Sequence, residues 1–541
     1  MSQTTDQSNA GTAEWQWSVE IAGLVSPETD GAPRAFLWIP PAGDFVRGLV
    51  VGQHTLQEEM ILEHDSFRAE LGRLGFGAIW ITPPLDLLFE PADAAGPAFD
   101  AMLTALARVS GYHELVHAPV VPIGHSAAAF YPWNFARWAP HRTLAVLSIS
   151  GQWPTPMNDA RDALIAEPLP AGIPALVAIG EYEWADERAA IGLRQRVAYP
   201  DLPLTMLGEG GAGHFDVSHE KVAYLALYLR KAAAYRLPAG DSPTDGPPEL
   251  RAIDPNTTGW LVDRWRANEP PRVPAAPVAE YAEPEEAFWC FDEEHAVATE
   301  KFRLNQRGKR AALLGFVQAG ALLPQLPTTH QQVTIPFQPI GDGLTFQLST
   351  RFLDTVPEGR PERWTGLKAG ASLFKPTSNL PSTIERICGP VAKLSDDTFA
   401  IRFYRTGMSN AKRSAEIWLA ATHPGDTLFK RSVQQAVLRF PLRNNEGAEQ
   451  SITFDAIPDQ RAGTVSLPLE ATSSAGANVH FYVREGPARI AADGRTLVFT
   501  AIPRRSTFPV SVTVVAWQWG RSLEPLVKTA SPVERTFRLI P

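Results

Sequence analysis

Between Trp15 and about Arg236, short runs of uninterrupted apolar residues alternate with segments whose apolar positions recur every three or four residues. A strand buried on both faces has no polar side to show, so GLVVGQ (48–53), AIWITP (78–83), VVPIG (120–124), AVLSIS (145–150), PALVAIG (174–180) and PLTMLG (203–208) are predicted to be strands of a mostly parallel sheet. WQWSVEIAG and RAFLWIP precede them as early strands. Helical periodicity around residues 67–74, 101–109 and 217–237 supplies the covering layers, and the order β, α, β, α predicts an α/β domain over residues 15–237.

The pattern changes after Leu237. Residues 238–287 are rich in Pro, Asp and Glu and are expected to form a surface linker with at most a helical turn near Trp260. From Phe288 a short helix (DEEHAVATEKF) gives way to alternating segments such as QQVTIPFQP, LTFQLSTRFL, TFAIRFYR and AEIWLAAT, separated by Gly, Pro and Asp. Period-two alternation between turn residues predicts an all-β sandwich over 288–448, with a second over 449–541 carrying TVSLPLEATS, VHFYVREGPA and VSVTVVAWQWG. The phrasing of that last segment resembles bacterial immunoglobulin-like modules. Residues 1–14 have no pattern that buries a face and are expected to be disordered.

Composition narrows the function classes. A net charge of −10 without any long Lys/Arg run argues against a nucleic-acid partner. No stretch reaches the roughly 18–20 apolar residues that span a bilayer, and the start MSQTTDQSNAGTAE lacks a signal-peptide pattern. A leader removed beforehand would leave the same start, so a periplasmic or extracellular location stays open. Cys290 and Cys388, the only cysteines, are too few for a disulfide scaffold and are expected as buried thiols. No HExxH or comparable spacing predicts a metal, and the chemistry described next needs no cofactor.

The segment Gly124-His125-Ser126-Ala127-Ala128 turns a buried strand into a helix with small residues two positions either side of the serine. Such a turn is so sharp that larger side chains would collide with strand or helix. It resembles the nucleophile elbow of the α/β-hydrolase family, G-x-S-x-G, with Ala128 in place of the final glycine. Gly407-Met408-Ser409-Asn410-Ala411 fits the same pattern but lies between two strands of an antiparallel region. The resemblance implies a base on the loop after the last strand, where Gly210-Gly211-Ala212-Gly213-His214 stands, and an acid after the penultimate strand, where two residues separate Gly180 from Glu183. Asp159 and Asp162 are the alternative acids. The order Ser126, Glu183, His214 is the family's order. An oxyanion hole is expected from the amide of Ala127 and from His54 or Thr55 after the third strand.

Tyr131, Trp153 and Trp184 flank these positions and are candidate substrate contacts, with core packing as the alternative. The short stretch from Gly151 to Ile173 leaves no room for a long lid and predicts an open cleft. Together with the β domains this points to a carboxylic ester hydrolase acting on a carbohydrate-linked or other bulky polar ester, a small-molecule or glycan substrate. A peptidase, an amidase or a small-molecule ester hydrolase would share the machinery, and a silent, glycan-binding surface protein would share the fold.

Overall fold

The computed structural model describes residues 13–90, 94–151, 153, 171–238, 246–327 and 330–541. Asp159, Asp162, most of the stretch expected to lack a lid, and residues 1–12 of the expected disordered start lie outside them. Among the described residues no helix is long and apolar enough to cross a membrane.

The apolar runs form one eight-stranded sheet: β1 (Trp17–Glu20), β2 (Arg34–Trp38), β3 (Gly48–Gln53), β4 (Phe76–Thr82), β5 (Val120–His125), β6 (Val146–Ile149), β7 (Ala175–Gly180) and β8 (Leu204–Glu209). Their order is β1-β2-β4-β3-β5-β6-β7-β8, antiparallel through β1, β2 and β4 and parallel from there on. This is the strand order of the α/β-hydrolase fold. Every residue of β3 through β8 is buried, which is why these strands read as continuous apolar runs rather than alternating ones. The covering helices are α1 (Glu58–Glu63), α2 (Asp65–Leu74), α3 (Ala95–Ser110), α4 (Tyr131–Trp138), α5 (Ala185–Ala198) and α6 (His219–Arg236).

The Pro-rich segment expected as a linker is built differently. Between its proline arms the island WLVDRW supplies a strand, β9 (Trp260–Asp263), where a helical turn was expected; it pairs with β10 (Ala276–Pro277) and β11 (Ala287–Cys290). Val262, Trp265, Phe288 and Cys290 join one apolar cluster with Val177, Ile179, Leu204 and Met206 of the large sheet. Burying these side chains outweighs the local polar composition, and Arg303 of α7 (Glu293–Leu304) locks the join by donating to the Met206 carbonyl at 3.0 Å.

Beyond α7 the chain is β-rich. Strands 333–335, 432–439, 416–423 and 383–388 form one sheet and 345–347, 398–401 and 391–393 another, with a shared core that includes Phe346, Phe399, Leu419 and Leu438. The pairing of 333–335 with 432–439 is parallel, unlike the other pairs of that sheet. The last ninety residues add a four-stranded and a three-stranded sheet around Val512, Val514, Leu497 and Phe537.

Candidate active site

Ser126 sits at the end of β5 with φ of 54°, a left-handed conformation that non-glycine residues avoid. The turn closes only because Gly124 lacks a side chain: a Cβ there would lie 1.9 Å from the Ala128 carbonyl oxygen. Ala128 is fully buried, and the elbow tolerates its single methyl group. Ser126 is half-buried and Ala127 exposed, so this edge of the elbow meets solvent.

The loop after β8 brings His214 back over the sheet. Gly180 permits the approach, since a Cβ there would meet the Ala212 carbonyl at 2.6 Å. His214 Nε2 lies 2.7 Å from Ser126 Oγ, and its Nδ1 is hydrogen-bonded to Glu183 Oε1. The His214 carbonyl accepts from Gln57 Nε2 at 3.0 Å and lies 2.9 Å from His125 Nε2, which fixes the loop from beneath. Burial pushes the Glu183 carboxyl up, but the His214 charge and hydrogen bond more than offset that and hold it below the ordinary carboxylate value. Glu183 is therefore ionised where an imidazolium would form. The structure thus brings Ser126, Glu183 and His214 together in hydrogen-bonding order. Ser409, the other match to the motif, is exposed and donates to the Thr406 carbonyl.

Other expectations shift. The amide of His54 is spent on the Ile81 carbonyl (2.8 Å), and its ring packs near Trp80 with Nδ1 2.7 Å from Thr82 Oγ1. Thr55 N–H donates to Glu58 Oε2 at 3.2 Å. Neither of the two amides nominated beside Ala127 is free to face an oxyanion, because the sheet and the helix start have already used them. Trp153 is 1% exposed, stacks on Phe288 and donates Nε1 to the Arg188 carbonyl at 2.6 Å. Tyr131 is fully buried among Phe89 and Phe135. Both are core side chains. Trp184 remains half-exposed, beneath the Arg360 guanidinium, 4.3 Å from its ring centroid.

Several residues at the site were not singled out from the sequence. Glu58, fully buried, accepts from the amides of Thr55, Leu56 and His125, the last at 2.7 Å, and so ties the loop after β3 to the elbow. Burial pushes its carboxyl up to about 7 against those hydrogen bonds. Thr55-Leu56-Gln57-Glu58 is a capping-box spacing that marks such a link. The second group comes from the β-rich half. The His330 ring stacks on His214 at 4.1 Å between centroids and 8° between planes, and Trp418 meets Phe215 at 4.7 Å. Trp364 stacks on Tyr182 beside the acid. The expected open cleft is thus walled by the β region on the acid and base side.

Charge complementarity holds that wall in place. Arg386 and Arg405 meet the buried Glu59 at 3.0 and 2.5 Å, and Arg405 also meets Glu63. Arg413 reaches Glu28 at 2.7 Å, Lys430 reaches Glu181 at 2.5 Å, and Arg431 pairs with Asp216. Five cations of the β region thus meet five carboxylates of the α/β region around the loops that carry the site. A cavity of about 790 Å³ lies beside it, lined by His64, His219, Arg386 and Thr422, and includes none of Ser126, Glu183 and His214.

Glu183, His214 and His330 offer a carboxylate and two imidazoles within 4.8 Å of one another. The near-parallel rings do not aim their lone pairs at one point, and Arg360 Nη1 stands 3.4 Å from His330 Nδ1. A metal would require both rings to turn, and the arrangement is better described as an imidazole stack.

No family model matches the chain, and no curated protein matches it. Among solved structures it is similar to S-formylglutathione hydrolase from Staphylococcus aureus (13% identity, 41% of this chain, 97% of that chain, TM-score 0.26). It is also similar to a poly(3-hydroxybutyrate) depolymerase from Bordetella parapertussis (16%, 43% and 96%, TM-score 0.27) and to dienelactone hydrolase from Anabaena variabilis (16%, 40% and 94%, TM-score 0.27). The fold assignment rests on the strand order within this chain.

Proposed function

We propose that the chain is a serine hydrolase that cleaves a carboxylic ester through Ser126, His214 and Glu183. The observation that carries this reading is the 2.7 Å contact between Ser126 Oγ and His214 Nε2, with an ionised, buried Glu183 on the other ring nitrogen. Ser126 Oγ attacks the ester carbonyl while its proton passes to His214 Nε2, and Glu183 stabilises the imidazolium. His214 then gives the proton to the departing alkoxide, which leaves as an alcohol and an acyl-Ser126. Water, deprotonated by the same nitrogen, releases the acid and regenerates the hydroxyl. The Ala127 amide, in the turn after the nucleophile, is the proposed oxyanion donor.

A carbohydrate-linked or other bulky polar ester is the proposed substrate class, and Trp184 is the aromatic side chain that still supports it. The immunoglobulin-like character of the last ninety residues is likewise a proposal, supported by their paired sheets. A fluorophosphonate probe tests the chemistry without knowledge of the substrate. Labelling of the peptide that contains Ser126, together with p-nitrophenyl acetate turnover lost in Ser126→Ala, is the expected result. Undiminished turnover in Ser126→Ala would sink the proposal.

A further inference from the structure

We infer that His330, delivered by the β-rich half, is a positioning residue for His214, so that the hydrolase site is completed across two regions of the chain. The inference rests on the serine-hydrolase reading. Hydrogen bonds to the two ring nitrogens of His214 act in the plane of the ring, and while the proton moves along that line in the cycle they give its face little support against rotation about the side-chain torsions. A flat neighbour removes that freedom, and His330 is such a neighbour, 4.1 Å away and 8° from parallel. Holding a general base in its productive orientation is worth rate because misplacement by about 1 Å can cost a hundredfold.

The backbone around His330 is arranged to hold the ring there at a cost. His330 and Gln331 have φ of 49° and 53°, two successive non-glycine residues in left-handed conformations. Strain of this kind, on the order of 1–3 kcal/mol per residue, persists only where the surroundings over-determine it. Here Gln435 Nε2 donates to the His330 carbonyl at 2.6 Å and Gln434 Nε2 to the Gln331 carbonyl at 2.7 Å. Gln325 Nε2 reaches Gln434 Oε1 at 2.6 Å, and Gln331 Nε2 lies within 3.4 Å of Gln325 Oε1. Both Gln434 and Gln435 belong to the strand 432–439, which the charge pairs at Lys430 and Arg431 anchor to the hydrolase region.

The ring is also kept uncharged. The groups facing it are His214, Glu183, Arg360 and the edge of Phe215. Burial first, then His214 and Arg360, push its imidazole down to about 4 against the opposing pull of Glu183. A neutral ring does not repel the imidazolium that forms on His214. His330 takes no proton in the cycle.

The test is steady-state hydrolysis of p-nitrophenyl acetate and fluorophosphonate labelling by the full chain and by His330→Ala, His330→Asn and His330→Phe. Asparagine tolerates the left-handed backbone, so that variant keeps the fold if alanine does not. The alanine and asparagine variants should lower kcat about tenfold to a hundredfold while KM moves less than about threefold. Phenylalanine restores a flat wall and should recover kcat to within about threefold of the parent. Alanine and asparagine variants within about twofold of the parent in kcat, or a phenylalanine variant as slow as alanine, would overturn the inference. A parent that neither turns over ester nor labels at Ser126 would overturn the hydrolase reading first, and the role of His330 with it.

Discussion

Two residues flank His214 in left-handed backbone, Ser126 on one side and His330 on the other. The serine is forced there by a short-range device: a buried strand, a glycine with no room for a Cβ and a helix starting at once. The histidine is held there by long-range ones, glutamines about a hundred residues further on and charge pairs between distant regions. Local strain announces itself in a motif, whereas strain held by distant partners leaves no local mark.

The largest effect is expected at Ser126. Ser126→Ala should lower p-nitrophenyl acetate turnover by on the order of a thousandfold or more, with an unchanged melting temperature; a drop in stability of similar weight would make Ser126 structural. The docking side is next. Arg405→Met leaves Glu59 with one fewer cation and Glu63 without its Arg405 partner in the interior, and urea unfolding should show a loss of about 3–5 kcal/mol, with weaker labelling of Ser126 as the wall loosens. If labelling is untouched by that loss, the two regions do not cooperate.

Trp153→Ala sharpens the boundary between core and site. A fully packed tryptophan should cost about 3–5 kcal/mol on truncation, and KM for the variant, measured below its melting point, should stay close to that of the parent. A large KM effect would restore Trp153 as a substrate contact.

Acid and alkali then separate the two tethers. Glu58, with its folded value raised to about 7 from 4.5, contributes stability that is complete below 4.5 and lost as pH rises through 7. The stability difference between parent and Glu58→Gln should therefore shrink between pH 4.5 and 8 by up to about 3 kcal/mol, read from unfolding curves at the two pH values. His330 has the opposite sign, and solvent screening of its partly exposed ring makes the effect smaller. Its depressed value means that stability present above 6.5 is lost as pH falls towards 4, so His330→Phe should be less acid-sensitive in a melting series than the parent.

The parallel sheet could be read from the amino-acid sequence, as could the sharp turn at Ser126 and the three side chains, Ser126, Glu183 and His214, that meet beside it. Each depends on burial of a contiguous run or on residues close to a strand end, so a pattern of a few neighbours carries it. The amides nominated after the third strand and two of the three aromatic contacts, Tyr131 and Trp153, escaped because a polar N–H or a ring looks the same in sequence whether a partner has claimed it or not; Glu58 and Arg188 claimed those of Thr55 and Trp153. The apolar island at Trp260 was masked by the prolines around it. Long-range packing alone set a strand from the β-rich half against the loops of Glu183 and His214. That contact exists because cations near residues 386–431 meet carboxylates of the α/β region, pairs separated by more than two hundred positions whose meeting is set by the packing of whole sheets.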